Sequence, residues 1–125
     1  MRGVALWFFV SAVLYVIVGM GFGIWMAASQ DHSLAGAHAH LNLLGWVSMA
    51  IFGVYYHLVP AAAASRLATL HFIVATLGLI VFVPGIALAI MGRGEALASI
   101  GALLSLASML IFLVTVVRNV QARPA

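Results

Sequence analysis

Histidine is the residue type in this sequence with the most chemistry to offer, and its five copies lie in or beside long apolar runs. His38 and His40 are two positions apart near the start of one run, His57 lies near its end, His71 begins the next run, and His32 lies in the polar stretch before the first pair. Neutral imidazole is a good ligand for haem iron and for copper. Since the sequence has no cysteine and only two acidic residues, histidine is its only strong ligand type.

The spacing of His38 and His40 decides what they can do together. Two positions on an α-helix correspond to a rotation of about 200°, so the two rings point to nearly opposite sides. They therefore cannot chelate one ion together, as a pair four residues apart can. Each ring can ligate a separate centre at its own helix interface, or each can be a hydrogen-bonded structural residue. The spacing alone leaves both interpretations open, although ionisable groups inside apolar spans are costly and favour a function.

The remaining histidines favour simpler interpretations. His57 and His71 lie at similar depth on consecutive apolar runs, near the same surface. We interpret them as hydrogen-bonded structural residues, and they form a possible pair that meets near that surface. His32 lies in a polar loop and is expected to be solvated.

The elements that carry these histidines follow from composition. Of the 125 residues, 66% are hydrophobic and 6% are charged, whereas a soluble domain has about 25% charged residues. Lipid is therefore the expected surrounding. Each apolar run is long enough to cross a bilayer as a helix, and the first is too long for the apolar part of a signal peptide. Short connections predict one domain, an all-α, integral membrane four-helix up-down bundle. The predicted spans are 4–28, 34–60, 67–91 and 96–117, with a kink or break at Pro84 in the third.

The five arginines predict the orientation of the bundle. Cytoplasmic loops are enriched in Lys and Arg. Placing both termini in the cytoplasm puts four arginines there and leaves only Arg93 outside, beside Glu95 and on the same side as Asp31. The arginines are too few and too scattered for a nucleic-acid surface, so no nucleic-acid partner is expected. The four cytoplasmic arginines are Arg2, Arg66, Arg118 and Arg123.

One segment resembles a known family. The stretch 37–46, which reads AHAHLNLLGW and continues through Gly53 to His57 and Pro60, resembles the tenth helix of haem-copper oxidase subunit I. This family includes the large subunits of cytochrome c oxidase and nitric oxide reductase. That helix is the second of the last of three four-helix repeats, so the resemblance implies that this chain is a single repeat. In the family the first histidine of the pair ligates the high-spin haem and the second ligates the low-spin haem. These positions correspond to His38 and His40.

The resemblance implies a cofactor and an assembly. A b-type haem is the expected cofactor, with copper as the alternative metal, and Asn42 and Trp46 are expected to line the same pocket. Identical subunits in a homotrimer can rebuild the family's threefold arrangement, with haem between His40 of one protomer and the partner's His38. Electron transfer or diatomic-gas chemistry at this haem, a respiratory-chain electron donor and a bacterial inner membrane are the corresponding expectations.

Some of the family's residues have no counterpart here. The copper centre needs three histidines from another repeat and a redox-active tyrosine, and the proton-channel acids are missing, because Asp31 and Glu95 both lie in loops. Whether the chain is an enzyme is therefore open. Two rival interpretations are a membrane protein that handles copper or haem, such as an oxidase assembly factor, and a non-catalytic structural subunit whose histidines only form hydrogen bonds.

Overall fold

The computed structural model describes residues 1–120 and confirms an all-helical bundle. Within these residues there are no strands. The four long helices coincide with the four predicted spans, while Arg123, one of the arginines used to predict orientation, lies outside the described residues. A single-turn helix follows the second span. The helices are α1 (Gly3–Ser29), α2 (Ala35–Leu58), α3 (Pro60–Ala63), α4 (Arg66–Ile90) and α5 (Ala96–Val120).

The composition of the long helices makes this an integral membrane protein. Each of the four is long and apolar enough to cross a bilayer, with mean hydropathy of 2.2, 1.3, 2.6 and 2.6 in chain order. Large aliphatic side chains such as Leu14, Ile24 and Leu103 lie on the outer surface, as a lipid-facing surface requires. The value for α2, taken like the others over 18 residues, is the lowest, and this helix carries three histidines together with Asn42. The polar chemistry is therefore concentrated on one span.

Small residues bring the helices close together. A Cβ at Gly53 of α2 would lie 3.1 Å from the carbonyl oxygen of Ala5 and from the backbone nitrogen of Phe9, both on α1. Gly85 of α4 packs in the same way against the backbone of Ala98 on α5. Close approach at small residues replaces the hydrophobic driving force that helices lack in lipid. These contacts set the positions from which the histidines meet their partners.

The sequence predicted a kink or break at Pro84, and the structure has no break there. α4 runs without interruption from Arg66 to Ile90, with Pro84 inside it. A proline removes one backbone donor, but its neighbours in a spanning helix can keep the helix intact. Here the next residue, Gly85, is buried against the backbone of α5, which holds this part of α4 in place.

A feature of α2 that the sequence did not predict is a π-helical stretch, Leu41–Ser48, which begins directly after His40. Ser48 Oγ donates to the carbonyl oxygen of Leu43 at 3.0 Å, five residues earlier. π-Helical turns are rare and occur frequently at functional sites. The wider turn changes the direction of every side chain that follows relative to His38 and His40.

The two ends of the bundle are distinguished by the termini and loops that lie there. Both Arg2 and the α2–α3 junction lie at one end, where they line a common cavity; we call this the terminal end. The α1–α2 and α4–α5 loops lie at the other, which we call the loop end. There the backbone N–H of Ser33 donates to the Asp31 carboxylate at 2.9 Å. Hydrogen bonds from Ser33 hold the pKa of the Asp31 carboxyl below its ordinary value.

Candidate functional site

His38 lies at the interface of α2 with α1, near the loop end. Its Nε2 is 3.0 Å from the carbonyl oxygen of Gly19. The edge of the ring meets Phe22, with ring centroids 5.7 Å apart. A Cβ at Gly23 would come within 3.1 Å of Nε2, so this glycine of α1 makes room for the imidazole, while a Cβ at Gly19 would meet the Asn42 side chain. The ring therefore acts as a polar link between the first two spanning helices.

Asn42 completes the surroundings of His38. Its Nδ2 donates to the His38 carbonyl oxygen at 2.9 Å and lies 3.1 Å from His38 Nε2. One imidazole nitrogen cannot donate to Gly19 and accept from Asn42 at the same time. Whichever bond is made, Nε2 is already in contact with a polar partner. It can ligate a metal only if the ring leaves Gly19.

His40 lies on a different side of α2, against α4. Its Nδ1 is 2.8 Å from the carbonyl oxygen of Gly36, one turn earlier on the same helix. The ring packs edge-on against Phe82, with centroids 5.1 Å apart. The prediction that His38 and His40 point in different directions is thus confirmed. When Nδ1–H donates to Gly36, Nε2 carries the free lone pair, the arrangement that metal-ligating histidines commonly use.

The structure brings only part of the expected pocket together. Asn42 lies beside His38, as expected. Trp46 instead packs with Phe9 of α1, with ring centroids 6.4 Å apart, and belongs to the edge of the apolar core. His40 has Gly36 and Phe82 as its neighbours. Within this chain His38 and Asn42 therefore lie together, whereas His40 and Trp46 each have other neighbours.

The predicted pairing of His57 with His71 is wrong. His71 is fully buried, with 0% of its surface exposed. Its Nδ1 lies 3.0 Å from the Tyr56 hydroxyl and its Nε2 lies 3.1 Å from Ser108 Oγ. His57 is exposed at the terminal end. Successive helix residues are about 100° apart, so Tyr56 faces α4 and the neighbouring His57 cannot.

His71 is nevertheless hydrogen-bonded inside the bundle, as expected from the sequence. Three phenylalanines surround the imidazole, with ring centroids between 4.5 and 5.6 Å from its own; they are Phe8, Phe52 and Phe112. A buried polar group is tolerated when its hydrogen bonds are made, and both ring nitrogens have partners. In the sequence these two partners are only a tyrosine next to His57 and a serine within the fourth span, and neither feature predicts a contact with His71.

The arrangement restricts which metals the chain can hold by itself. In residues 1–120, no three or more His, Cys, Asp or Glu side chains come together as a group able to hold a metal ion. His32 is exposed in the loop, as expected. A metal bound by this chain would therefore have at most two of its ligands from these side chains. The rest would come from another molecule, from backbone or from a macrocycle such as haem.

Comparison of the whole chain with protein-family models, with curated proteins and with solved structures found no match. The fold and site define the chain as an integral membrane protein of four spanning helices with two differently directed histidines.

Proposed function

We propose that this chain is a haem-binding membrane protein in which His40 ligates a b-type haem at a contact between copies, with a homotrimer as the assembly. The observation that carries the proposal is the hydrogen bond from His40 Nδ1 to Gly36, which leaves Nε2 free. The ring is half-buried beside Phe82, at the surface between α2 and α4. Haem bound there would supply an iron suited to electron transfer or to binding a diatomic gas.

The two histidines do not fit haem equally well. His40 fits, because its ring is oriented by its own helix and its second nitrogen faces away from that bond. His38 does not fit as it lies, because its Nε2 is held by Gly19 and touched by Asn42. We therefore assign the ligand role within one protomer to His40. A role for the partner's His38 requires that its ring first leave Gly19.

The distribution of the arginines supports one orientation of the bundle in the membrane. Among the arginines of residues 1–120, Arg2, Arg66 and Arg118 belong to the terminal end of the bundle and Arg93 belongs to the loop end. The excess of arginine supports placing the terminal end in the cytoplasm. His38 and His40 would then lie towards the outer surface of a bacterial inner membrane, on the side where a respiratory electron donor can approach.

Haem content and assembly mass test the proposal. The chain would be purified in mild detergent after expression with added haem precursor, and haem would be measured as the pyridine haemochromogen. We expect one haem per protomer and the mass of a trimer. His40→Ala should lose the haem, whereas His57→Ala, which changes an exposed histidine at the other end, should retain it. A wild-type protein without haem, or equal haem in both variants, would refute the proposal.

One alternative is favoured by a specific observation. His38 and His71 both make hydrogen bonds inside the chain, as expected for the histidines of a non-catalytic structural subunit. In that case His40→Ala would leave the absorption spectrum and the assembly mass of the purified protein unchanged. The same measurement therefore separates the two functions.

A further inference from the structure

Three polar side chains from three helices form a continuous buried series. Tyr56 of α2 contacts Nδ1 of His71 on α4 at 3.0 Å, and Nε2 of the same ring contacts Ser108 Oγ on α5 at 3.1 Å. The exposed fractions of Tyr56, His71 and Ser108 are 1%, 0% and 4%. Every group in the series can both donate and accept a hydrogen bond. The series crosses the core of the bundle without an interruption.

Each end of this series lies at a cavity. Tyr56 lines a cavity of about 370 Å³ at the terminal end, where Arg2 and His57 also line it. Ser108 lines a much smaller cavity of about 20 Å³, in which Ser48 and Ser105 are the other polar residues and the rest of the lining is apolar. A polar cavity of roughly 10–15 Å³ or more can hold one water. The smaller cavity is therefore large enough for a single water, with serine hydroxyls as its hydrogen-bond partners.

We propose that Tyr56, His71 and Ser108 form a proton relay between the cavity at the terminal end and one water molecule in the serine-lined cavity. A hydronium ion in the terminal cavity passes a proton to the Tyr56 oxygen as Tyr56 passes its own proton to His71 Nδ1, and the ion is left as water. The proton on Nε2 moves to Ser108 Oγ, and the Ser108 proton moves to the internal water, which is a hydronium ion until the reverse transfer. One proton enters the series and one leaves, so none of the three side chains changes its net charge.

After one transfer the hydrogen-bond directions along the series are reversed, and the starting directions must be restored before the next transfer. The imidazole is then in its other tautomer, and both hydroxyls point the opposite way. Transfer in the reverse direction restores the starting arrangement, so the relay exchanges protons between the two cavities without any chemical change in the protein. This inference does not depend on haem and stands or falls separately from the proposed function.

The surroundings of His71 define the route. Phe8, Phe52 and Phe112 pack around the ring, and their side chains neither donate nor accept protons. A proton that reaches the imidazole must therefore pass through Tyr56 or Ser108. A histidine with a structural role alone requires hydrogen-bond partners, but it does not require that the series end at a cavity on both sides.

Exchange of the His71 ring proton with water tests the relay. The protein would be labelled with ¹⁵N-histidine, reconstituted in lipid nanodiscs and observed by NMR. In the wild type the ring N–H should exchange with water much faster than the backbone amides of the neighbouring Phe52 and Phe72, because exchange through the relay needs no opening of the bundle. A ring proton that exchanges as slowly as those amides would overturn the proposal, and this comparison needs no variant.

Two matched variants locate the route. Tyr56→Phe removes the hydroxyl of the relay and should slow exchange of the His71 ring proton by about tenfold or more, since opening of the bundle is then required. Tyr55→Phe removes the hydroxyl of the preceding residue, which is not part of the series, and should leave the rate unchanged. Equal rates in the two variants would overturn the proposal. A third variant, Ser108→Ala, tests the internal water. It should abolish magnetisation transfer from the internal water to Ser105. If the transfer persists, the internal water does not depend on Ser108 and is not part of the relay.

Discussion

The imidazole of His38 is hydrogen-bonded to the backbone of Gly19, with 3.0 Å between Nε2 and the carbonyl oxygen. This bond joins the first two spanning helices at the loop end. A histidine that the sequence presents as a ligand is thus also a tie between helices. Removal of that ring has consequences for stability that do not depend on any cofactor.

His38→Ala should destabilise the bundle by about 0.5–1.5 kcal/mol, because it removes the hydrogen bond between the His38 ring on α2 and the Gly19 carbonyl on α1. Unfolding in detergent, followed by circular dichroism against denaturant or temperature, measures the change. His32→Ala is the matched control, since His32 is exposed in the loop, and it should have little effect. Equal stability of the two variants would show that the His38–Gly19 bond contributes nothing.

Gly53→Ala should also destabilise the protein, by about 1–3 kcal/mol, because the added methyl group meets the backbone of α1 and forces the helices apart. Ala5 and Phe9 are the residues it would meet, at 3.1 Å. Gly21→Ala has no atom within 4 Å of the added methyl and should be neutral or slightly stabilising, since alanine is the better helix former. The same unfolding measurement compares the two, and a larger loss for Gly21→Ala would contradict the packing described above.

Tyr56 and His71 should be energetically coupled. In a double-mutant cycle built from Tyr56→Phe and His71→Phe, residues that share a hydrogen bond give a coupling energy of about 0.5–3 kcal/mol. The parallel cycle with Tyr55→Phe should give a value close to zero, because Tyr55 has no hydrogen bond to His71. Each value comes from the free energies of unfolding of the single and double variants. A coupling for Tyr55 as large as that for Tyr56 would contradict the assigned network.

If haem is bound as proposed, the reduced protein should bind carbon monoxide. His38 Nε2 is held by Gly19, so a haem held by His40 would keep its iron open to a small ligand. The absorption bands of the reduced protein should shift when carbon monoxide is added. Sharp bands without a shift would mean that a second histidine ligates the iron, and in that case His38→Ala should restore the shift.

The proposed orientation can be read from two single cysteines, because the chain has none of its own. Ala64→Cys lies at the terminal end and Ser33→Cys at the loop end, and both positions are exposed. In intact bacterial cells a membrane-impermeant maleimide should label Ser33→Cys and should label Ala64→Cys only after the cells are broken. The reverse pattern would place the terminal end outside and contradict the proposed use of the arginines.

Much of the architecture could be predicted from the sequence because it depends on local properties. A run of more than about 20 apolar residues must form a helix in lipid, since only a helix satisfies its own backbone there. The four predicted spans are for this reason close to the observed helices. The different directions of His38 and His40 follow equally from helix geometry, because the two residues are neighbours in one α-helical turn.

The partners of the histidines depend on contacts between helices and were not predictable in the same way. Gly19 is 19 residues from His38, and Ser108 is 37 residues from His71. Which residues meet at such separations depends on how each helix is rotated and how closely its glycines let it approach the next. The π-helical stretch makes the contacts of α2 still harder to predict, because it changes the rotation of the second half of this helix. No residue type marks it in the sequence.

The sequence by itself therefore determined the solvent, the number of spans and the directions of the paired histidines, since apolar length and helical spacing act within one segment. Only the tertiary structure decided that His38 is bonded to Gly19, that His40 keeps a free nitrogen beside Phe82, and that His71 meets Tyr56 and Ser108 instead of His57. The reason is physical: the packing of the other helices determines which groups are within reach of each imidazole.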